Sequence, residues 1–222
     1  YAKKEELKSM LCGTNMTDIK ISNRSAILRL LHEAGAMSRK QIAARLKLTP
    51  ATITVIINEL MNESILVEGN SVPNAGAVGR REVMVEISRE KYVALGLALS
   101  QGLVKFTVVN LHGEIIHEET FKLPEILTPE YFAETIGRQI QLKIASYGYS
   151  ENFIIGIGIT VCGVVDFANG IILDSDGIWE EKNVPIVKMF RKQFSFPVIA
   201  ANNVRSYANA YAFLQHDSQL QN

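Results

Sequence analysis

Two groups of residues in this 222-residue chain have types and spacings that can do chemistry. The first lies between Ser38 and Asn62. It holds Arg39, Lys40, Arg45 and Lys47, then Ala51, Thr52, Thr54, Val55 and Asn58. Cations of this kind grip phosphates and give a salt-sensitive affinity. Thr52 and Asn58 can hydrogen-bond base edges, while Ala51 and Val55 can meet thymine methyls. The second group is Gly163 with the pair Asn202-Asn203, each placed where an apolar run ends. A carboxamide donates and accepts hydrogen bonds but takes up no proton near neutral pH. This group can therefore hold a hydroxylated ligand and is not expected to activate it. The two cysteines, Cys12 and Cys162, sit in no metal spacing and read as reduced thiols of a cytoplasmic protein.

The first group must be carried on helices, and four devices mark them. Residues 23–34 are apolar at Ile27, Leu30, Leu31 and Ala34, a helical period, with Gly35 as the stop. Ser38 with Gln41 three residues on forms a capping box, and Met37 can staple onto Ile42. Thr49 caps a third helix with Pro50 at its first position, and Leu48 can staple onto Ile53. In that helix Ile53, Ile56, Ile57 and Leu60 share one face, leaving Ala51, Val55, Asn58 and Asn62 opposite, flanked by Thr52 and Thr54. The short link between the second and third helices is that of a helix-turn-helix.

Beyond Leu60, Ile65–Glu68 reads as a strand, and Glu82–Ile87 alternates with Val83, Val85 and Ile87 on one face. The long loop between them ends in Gly79-Arg80-Arg81, and two arginines there can reach a minor groove. The pattern is a winged helix-turn-helix. The bland alternative is a small helical domain packed on a partner protein, with its charges a solvated face and Arg80-Arg81 an ordinary loop pair.

The second group must be positioned by a sheet. "YVALGLALS" and "VKFTVVNLHGEIIHEETF" read as three strands with a turn at 110–113. Thr128-Pro129 opens a helix with Phe132, Ala133, Ile136, Ile140 and Ile144 on one side and Gly148 beyond it. "FIIGIGITV" is a continuous apolar run, as in a strand buried on both faces. A helix over 184–194 and a short strand at 198–201 follow. Ligands of such α/β sheets sit beyond the carboxyl ends of strands. The ends at Ser100-Gln101-Gly102, Cys162-Gly163 and Asn202-Asn203 converge if the three strands are neighbours. The alternative is plain: glycines for tight turns and asparagine as a helix cap, a role favoured for Asn203.

Residues 1–85 carry 12 Lys and Arg against 8 Asp and Glu, while 86–222 carry 11 against 15, for zero net charge. A basic DNA-facing module joined to an acidic one fits that asymmetry. No apolar run is long enough to cross a bilayer and no signal peptide opens the sequence. The chain begins at Tyr1 rather than Met, which leads us to expect a longer natural protein.

Taken together, the helix-turn-helix, "GAVGRR", the strand pair "YVALGLALSQG…FTVVNLHGEII", "GIGITVCGVVDFANGII", "GIWEEKNVP" and "FPVIAANN" resemble the ROK family of sugar-responsive repressors and sugar kinases. The resemblance implies an N-terminal segment over 1–22, a winged helix-turn-helix domain over 23–88, and over 89–222 an incomplete actin-like ATPase (RNase H-like) α/β domain. It also implies departures. Ala98 stands where the family's kinases carry the Asp of a phosphate loop, and Asn202-Asn203 stands where they carry Asn-Asp, whose Asp is the base. Phosphoryl transfer still needs a proton acceptor for the attacking hydroxyl. Asp166, Asp174 and Asp176 are candidate substitutes, but "DFANG" and "DSDG" read as turns.

The expectation is a transcriptional regulator of carbohydrate genes, a repressor by family habit. It would bind operator DNA as a homodimer or higher oligomer and answer to a sugar or sugar phosphate held at Gly163, Asn202 and Asn203, without catalysis. No cofactor is expected within this chain; family members carry a zinc motif that would lie past Asn222. The rival readings are an active ROK sugar kinase with a DNA-binding module, and a ligand-independent DNA-binding dimer.

Overall fold

Ser38 and Thr49 begin the two helices that matter most in the N-terminal half. The computed structural model describes residues 15–69, 82–124 and 128–215. They fall into two compact units that divide between Ile87 and Ser88. In the first unit, helix α1 spans Met16–Ala34. Strand β1 is Met37–Ser38, α2 is Arg39–Leu46, α3 is Pro50–Asn62, β2 is Leu66–Glu68 and β3 is Met84–Ile87. Ser38 accepts from the Gln41 amide while the Gln41 side chain accepts from the Ser38 amide, closing the capping box. Thr49 accepts from the Thr52 amide. Ile27, Leu31, Ile42, Ile53, Ile57, Leu60, Leu66 and Val85 are buried as a common core, and β3 lies between β1 and β2, antiparallel to both.

Three details differ from the sequence expectation. The first helix begins at Met16, not near Asn23. Its extra turns leave Met16 85% exposed, so no buried apolar period announces them; within them Lys20 pairs with Glu59, and just beyond them Arg24 pairs with Glu59 and Glu63. Ala34 is exposed rather than part of the buried stripe. Val83 is exposed as well, because the ladder starts only at Met84 and buries Val85 and Ile87.

In the second unit, β4 is Val93–Ser100, β5 is Leu103–Asn110 and β6 is Ile115–Lys122. Helix α4 is Pro129–Ser146, β7 is Ile154–Val161, β8 is Val164–Asp166 and β9 is Ile171–Asp174. Helix α5 is Ile186–Arg191, β10 is Val198–Asn202 and α6 is Asn203–Gln215. The five-stranded sheet runs β10-β7-β4-β5-β6, with β10, β7 and β4 parallel and β5 and β6 antiparallel. Phe132, Ala133, Ile136, Ile140 and Ile144 of α4 are all buried, with Ile157, Ile159 and Val161 of β7 in the same core. Burying one Phe or Ile side chain contributes about 1.5–3 kcal/mol, and Phe106, Phe132 and Phe190 are among the most fully buried.

Strand β7 is not buried on both faces, as its apolar run suggested. Its second face carries Gly158 and Thr160, and Ile155 is 51% exposed. Helix α5 is also shorter than 184–194. Val184 is taken into a bridge with Ile172, and Pro185 then starts the helix. The β8–β9 hairpin was not foreseen as strands, although its Asp166–Asn169 turn was: both Asn169 amides, main-chain and side-chain, donate to Asp166.

The Arg24 guanidinium holds the Glu63 carboxyl below the usual glutamate range, and Glu63 raises Arg24 in turn. A lowered carboxyl contributes stability that is present above its unfolded value and lost as pH falls through the folded one. Both groups are partly exposed, so the pair is worth a few tenths of a kcal/mol. A double-mutant cycle with Arg24→Gln and Glu63→Gln, followed by far-UV circular dichroism, should show that coupling at pH 7. It should fade below the glutamate range; coupling that stays the same in acid would contradict the pairing.

Candidate nucleic-acid interface and ligand crevice

On α3, burial of Ile53, Ile56, Ile57 and Leu60 forces Ala51, Thr54, Val55 and Asn58 outward. Val55 is 57% exposed, an apolar side chain offered to solvent in mid-helix. The threonines are more constrained than their type implies. The Thr52 hydroxyl lies 2.9 Å from that of Thr49, and Thr54 donates its hydroxyl to the Pro50 carbonyl at 2.8 Å. Thr54 therefore keeps acceptor capacity only. Lys40, Arg45 and Lys47 are exposed, whereas Arg39 is half-buried with a guanidinium nitrogen 3.7 Å from the Met61 sulfur. Between α2 and α3 lies an open groove of about 410 Å³, with Arg39 and Lys40 on one wall and Pro50 and Thr54 on the other. Arg80 and Arg81 lie outside the described residues.

The second site is built by register. Asn202 pairs with Val161, and Val161 with Leu99, so β10, β7 and β4 end abreast. Gly163 follows β7 with φ 145°, and a Cβ there would stand 2.0 Å from the Asp174 carbonyl oxygen. Only glycine lets the end of β9 come so close. The Asn202 side-chain amide donates to the Gly163 carbonyl at 2.6 Å. Its oxygen accepts from the Val204 and Arg205 amides at 2.8 and 3.4 Å. Asn202 is thus a brace and the cap of α6, the role expected of Asn203. Asn203 accepts only a shared bond from Val204 at 2.9 Å.

The close approach of β9 adds a residue that sequence reading set aside. Asp176 does sit in a turn, with φ 47°, but its carboxylate also accepts from the Cys162 thiol at 3.4 Å. Asp176 pushes the Cys162 thiol up, while a hydrogen bond from Asn203 opposes the shift. Asp176, Cys162 and Asn203 therefore form one chain of contacts at the strand ends. No sequence spacing announces it, because the β8–β9 hairpin brings Asp176 back over Gly163. Asp174 is occupied elsewhere: Lys182 at 3.0 Å holds its carboxyl below the usual range. Asp166 is likewise lowered by Asn169 in its own turn. The Gln101 side-chain nitrogen reaches the neighbourhood of Gly177, bringing the β4–β5 turn to the same place. Among the described residues no cluster of His, Cys, Asp and Glu could hold a metal ion.

A winged helix-turn-helix unit followed by a sheet of this order defines a class: a DNA-binding module carried on an actin-like, sugar-kinase-like α/β domain, of which part is present here. The ROK family model matches residues 95–222 and the winged helix-turn-helix DNA-binding model matches 22–67, and the chain belongs to the ROK family. It is 27% identical over 191 residues to a putative xylose repressor of Caldicellulosiruptor sp. (strain Rt8B.4), covering 86% of this chain and 47% of the relative. It is 28% identical over 196 residues to the DNA-binding transcriptional dual regulator NagC of Escherichia coli (strain K12), covering 88% and 47%. A crystal structure of a ROK family transcriptional regulator, a homolog of the E. coli Mlc protein, superposes with TM-score 0.70 at 25% identity, over 87% of this chain and 48% of that one. The chain spans about half the length of the curated relatives it matches.

If Asn202 is the brace, Asn202→Ala removes the hydrogen bonds to the Gly163 carbonyl and to the first amides of α6 and should cost the α/β unit about 1–2 kcal/mol. Asn203→Ala should cost less than half as much. Trp179, the sole tryptophan, lies in this unit and reports its unfolding in urea. Equal losses for the two variants would contradict the assignment.

Proposed function

We propose that this protein is a DNA-binding transcriptional regulator of the repressor type. Its winged unit reads operator DNA, and its α/β unit binds a carbohydrate or carbohydrate phosphate without turning it over. The observation that carries the reading is the outward face of α3. Ala51, Val55 and Asn58 stand exposed on a capped helix whose other side is buried; Lys40 shares a groove with Pro50 and Thr54 of that helix, and Arg45 and Lys47 are exposed at the end of α2. A small face of this kind can enter a major groove while the cations hold phosphates. The naming of the xylose repressor and of NagC as regulators supports the same assignment.

The absence of catalysis is also our reading, and three features support it. Ala98 stands at the strand end where the kinases of the family place an acid. Asn202 is committed to the scaffold, and Asn203 cannot accept a proton. Operator DNA and a carbohydrate effector are the proposed partners, and a homodimer matches the two-fold sites such modules bind. Among the described residues no helix is long and apolar enough to cross a membrane, and we place the protein in the cytoplasm with its DNA. The rival reading, a sugar kinase with an attached DNA module, draws on Asp176, a proton acceptor linked to Asn203 through Cys162. It predicts ATP-dependent phosphorylation of a hexose.

Selection of a binding site from randomised duplex DNA, followed by mobility-shift titration, tests the DNA reading. Asn58→Ala should weaken the selected site by roughly 1–3 kcal/mol and relax one base position. Arg80→Ala with Arg81→Ala should weaken all sequences alike and flatten the salt slope by about two. Failure to enrich any duplex, or selection unaffected by Asn58→Ala, would reject α3 as the reading element.

A further inference from the structure

We infer that Thr54 is a specificity-determining residue of α3, accepting a hydrogen bond from the exocyclic amino group of an adenine or a cytosine in the major groove. This rests on the reading that α3 enters that groove, and it names the base chemistry selected there.

Thr54 is the fifth residue of α3 and is exposed. It sits in the first turns of the helix, the part of a recognition helix that meets base edges. An unconstrained threonine hydroxyl turns to suit its partner, donating to one base edge and accepting from another, and so discriminates poorly. Thr54 is constrained. Its proton goes to the Pro50 carbonyl at 2.8 Å, one turn back in its own helix. Only lone pairs are left to face outward. Thr52 shows the contrast: its hydroxyl lies 2.9 Å from that of Thr49 and either can donate, so its polarity stays open.

An acceptor meets a restricted set of partners on DNA. Phosphate oxygens also accept, so Thr54 can hold one only by releasing the Pro50 carbonyl. Lys40 stands on the opposite wall of the groove between α2 and α3, and its ammonium donors suit that task. Guanine N7 and O6 and thymine O4 are acceptors too. The donors in the major groove are the adenine N6 and cytosine N4 amino groups. Asn58 lies one turn further along the same side of α3, and its carboxamide suits adenine. Val55, 57% exposed, adds a surface for a thymine methyl. The bond to Pro50 therefore turns a permissive side chain into a selective one, beside two residues of complementary preference.

Binding-site selection with the 222-residue chain, followed by mobility-shift titration, tests this. Thr54→Val keeps the side-chain shape and removes the acceptor, and its helix content by circular dichroism should match the wild type. It should relax one base pair of the selected site and weaken the preferred duplex roughly five- to tenfold. At that pair, purine in place of adenine, or pyrimidin-2-one in place of cytosine, deletes the amino group. The wild type should lose a similar factor on that duplex, and Thr54→Val should lose nothing more. A 7-deaza purine at the same pair deletes the N7 acceptor and should show no coupling to Thr54. Thr54→Ser, which keeps the hydroxyl and can bond back to Pro50, should restore the dependence on the amino group. Coupling of Thr54 to N7 in place of the amino group would mean that the hydroxyl donates, and would overturn the inference. Selection and affinity unchanged in Thr54→Val would overturn it as well, leaving α3 as the reading element through its other residues. Failure of the wild type to enrich any duplex would bring down the DNA reading itself.

Discussion

The contact on which the α/β unit depends is the approach of the Asp174 carbonyl to Gly163. A Cβ on Gly163 would stand 2.0 Å from that oxygen, so a single hydrogen in place of a side chain lets the end of β9 lie against the end of β7. The Asn202 side chain fixes the arrangement from the other side, tying the Gly163 carbonyl to the start of α6. Parallel pairing of β10, β7 and β4 brings Asn202, Val161 and Leu99 abreast, which makes these contacts possible. Register, glycine and asparagine therefore act together. The sheet decides where the strand ends fall, and the two side-chain facts decide what space lies beyond them.

The winged unit shows the same division between scaffold and exposed chemistry. The capping box at Ser38 and the Thr49 cap set where α2 and α3 begin, and the buried isoleucines set which way α3 turns. What remains outward is a small face, with Arg39 and Lys40 across the groove from Pro50 and Thr54. Part of its apparent hydrogen-bonding capacity is spent internally, at Thr52 and Thr54. Asn58 and Val55 are left as the most distinctive groups it can offer to a base pair.

Local signals were legible in the sequence because they are local. Caps, helix periods and strand ends each involve residues a few positions apart, and the buried faces of α3 and α4 follow directly from them. The first turns of α1 were not legible, because they carry an ion pair from Lys20 to Glu59 and no buried apolar stripe. Strand β1 has two residues and no pattern to read; it exists because Val85 and Met84 pair with it from far along the chain. In the crevice, the positions of Gly163, Asn202 and Asn203 followed from strand ends, but the division of labour between the two asparagines did not. Which side chain caps α6 depends on where β10 stops, a matter of one residue. Asp176 was named among the candidate acids and read as a turn residue, which it is, but its contact with Cys162 was not legible. A "DSDG" turn looks the same whether it faces solvent or a neighbouring strand end, and only the fold-back of β9 distinguishes the two.

The proposed account joins these parts into one device: a face that reads DNA and a strand-end site that recognises a carbohydrate or carbohydrate phosphate without reacting with it. Its central claim is that occupancy of the crevice alters the grip on DNA. The most direct measurement is fluorescence anisotropy of a labelled selected duplex, titrated with the protein at zero and at saturating sugar or sugar phosphate, with no nucleotide present. The account predicts a several-fold change in duplex affinity when the effector binds. Identical affinity at saturating sugar, with sugar binding confirmed in the same sample, would contradict it.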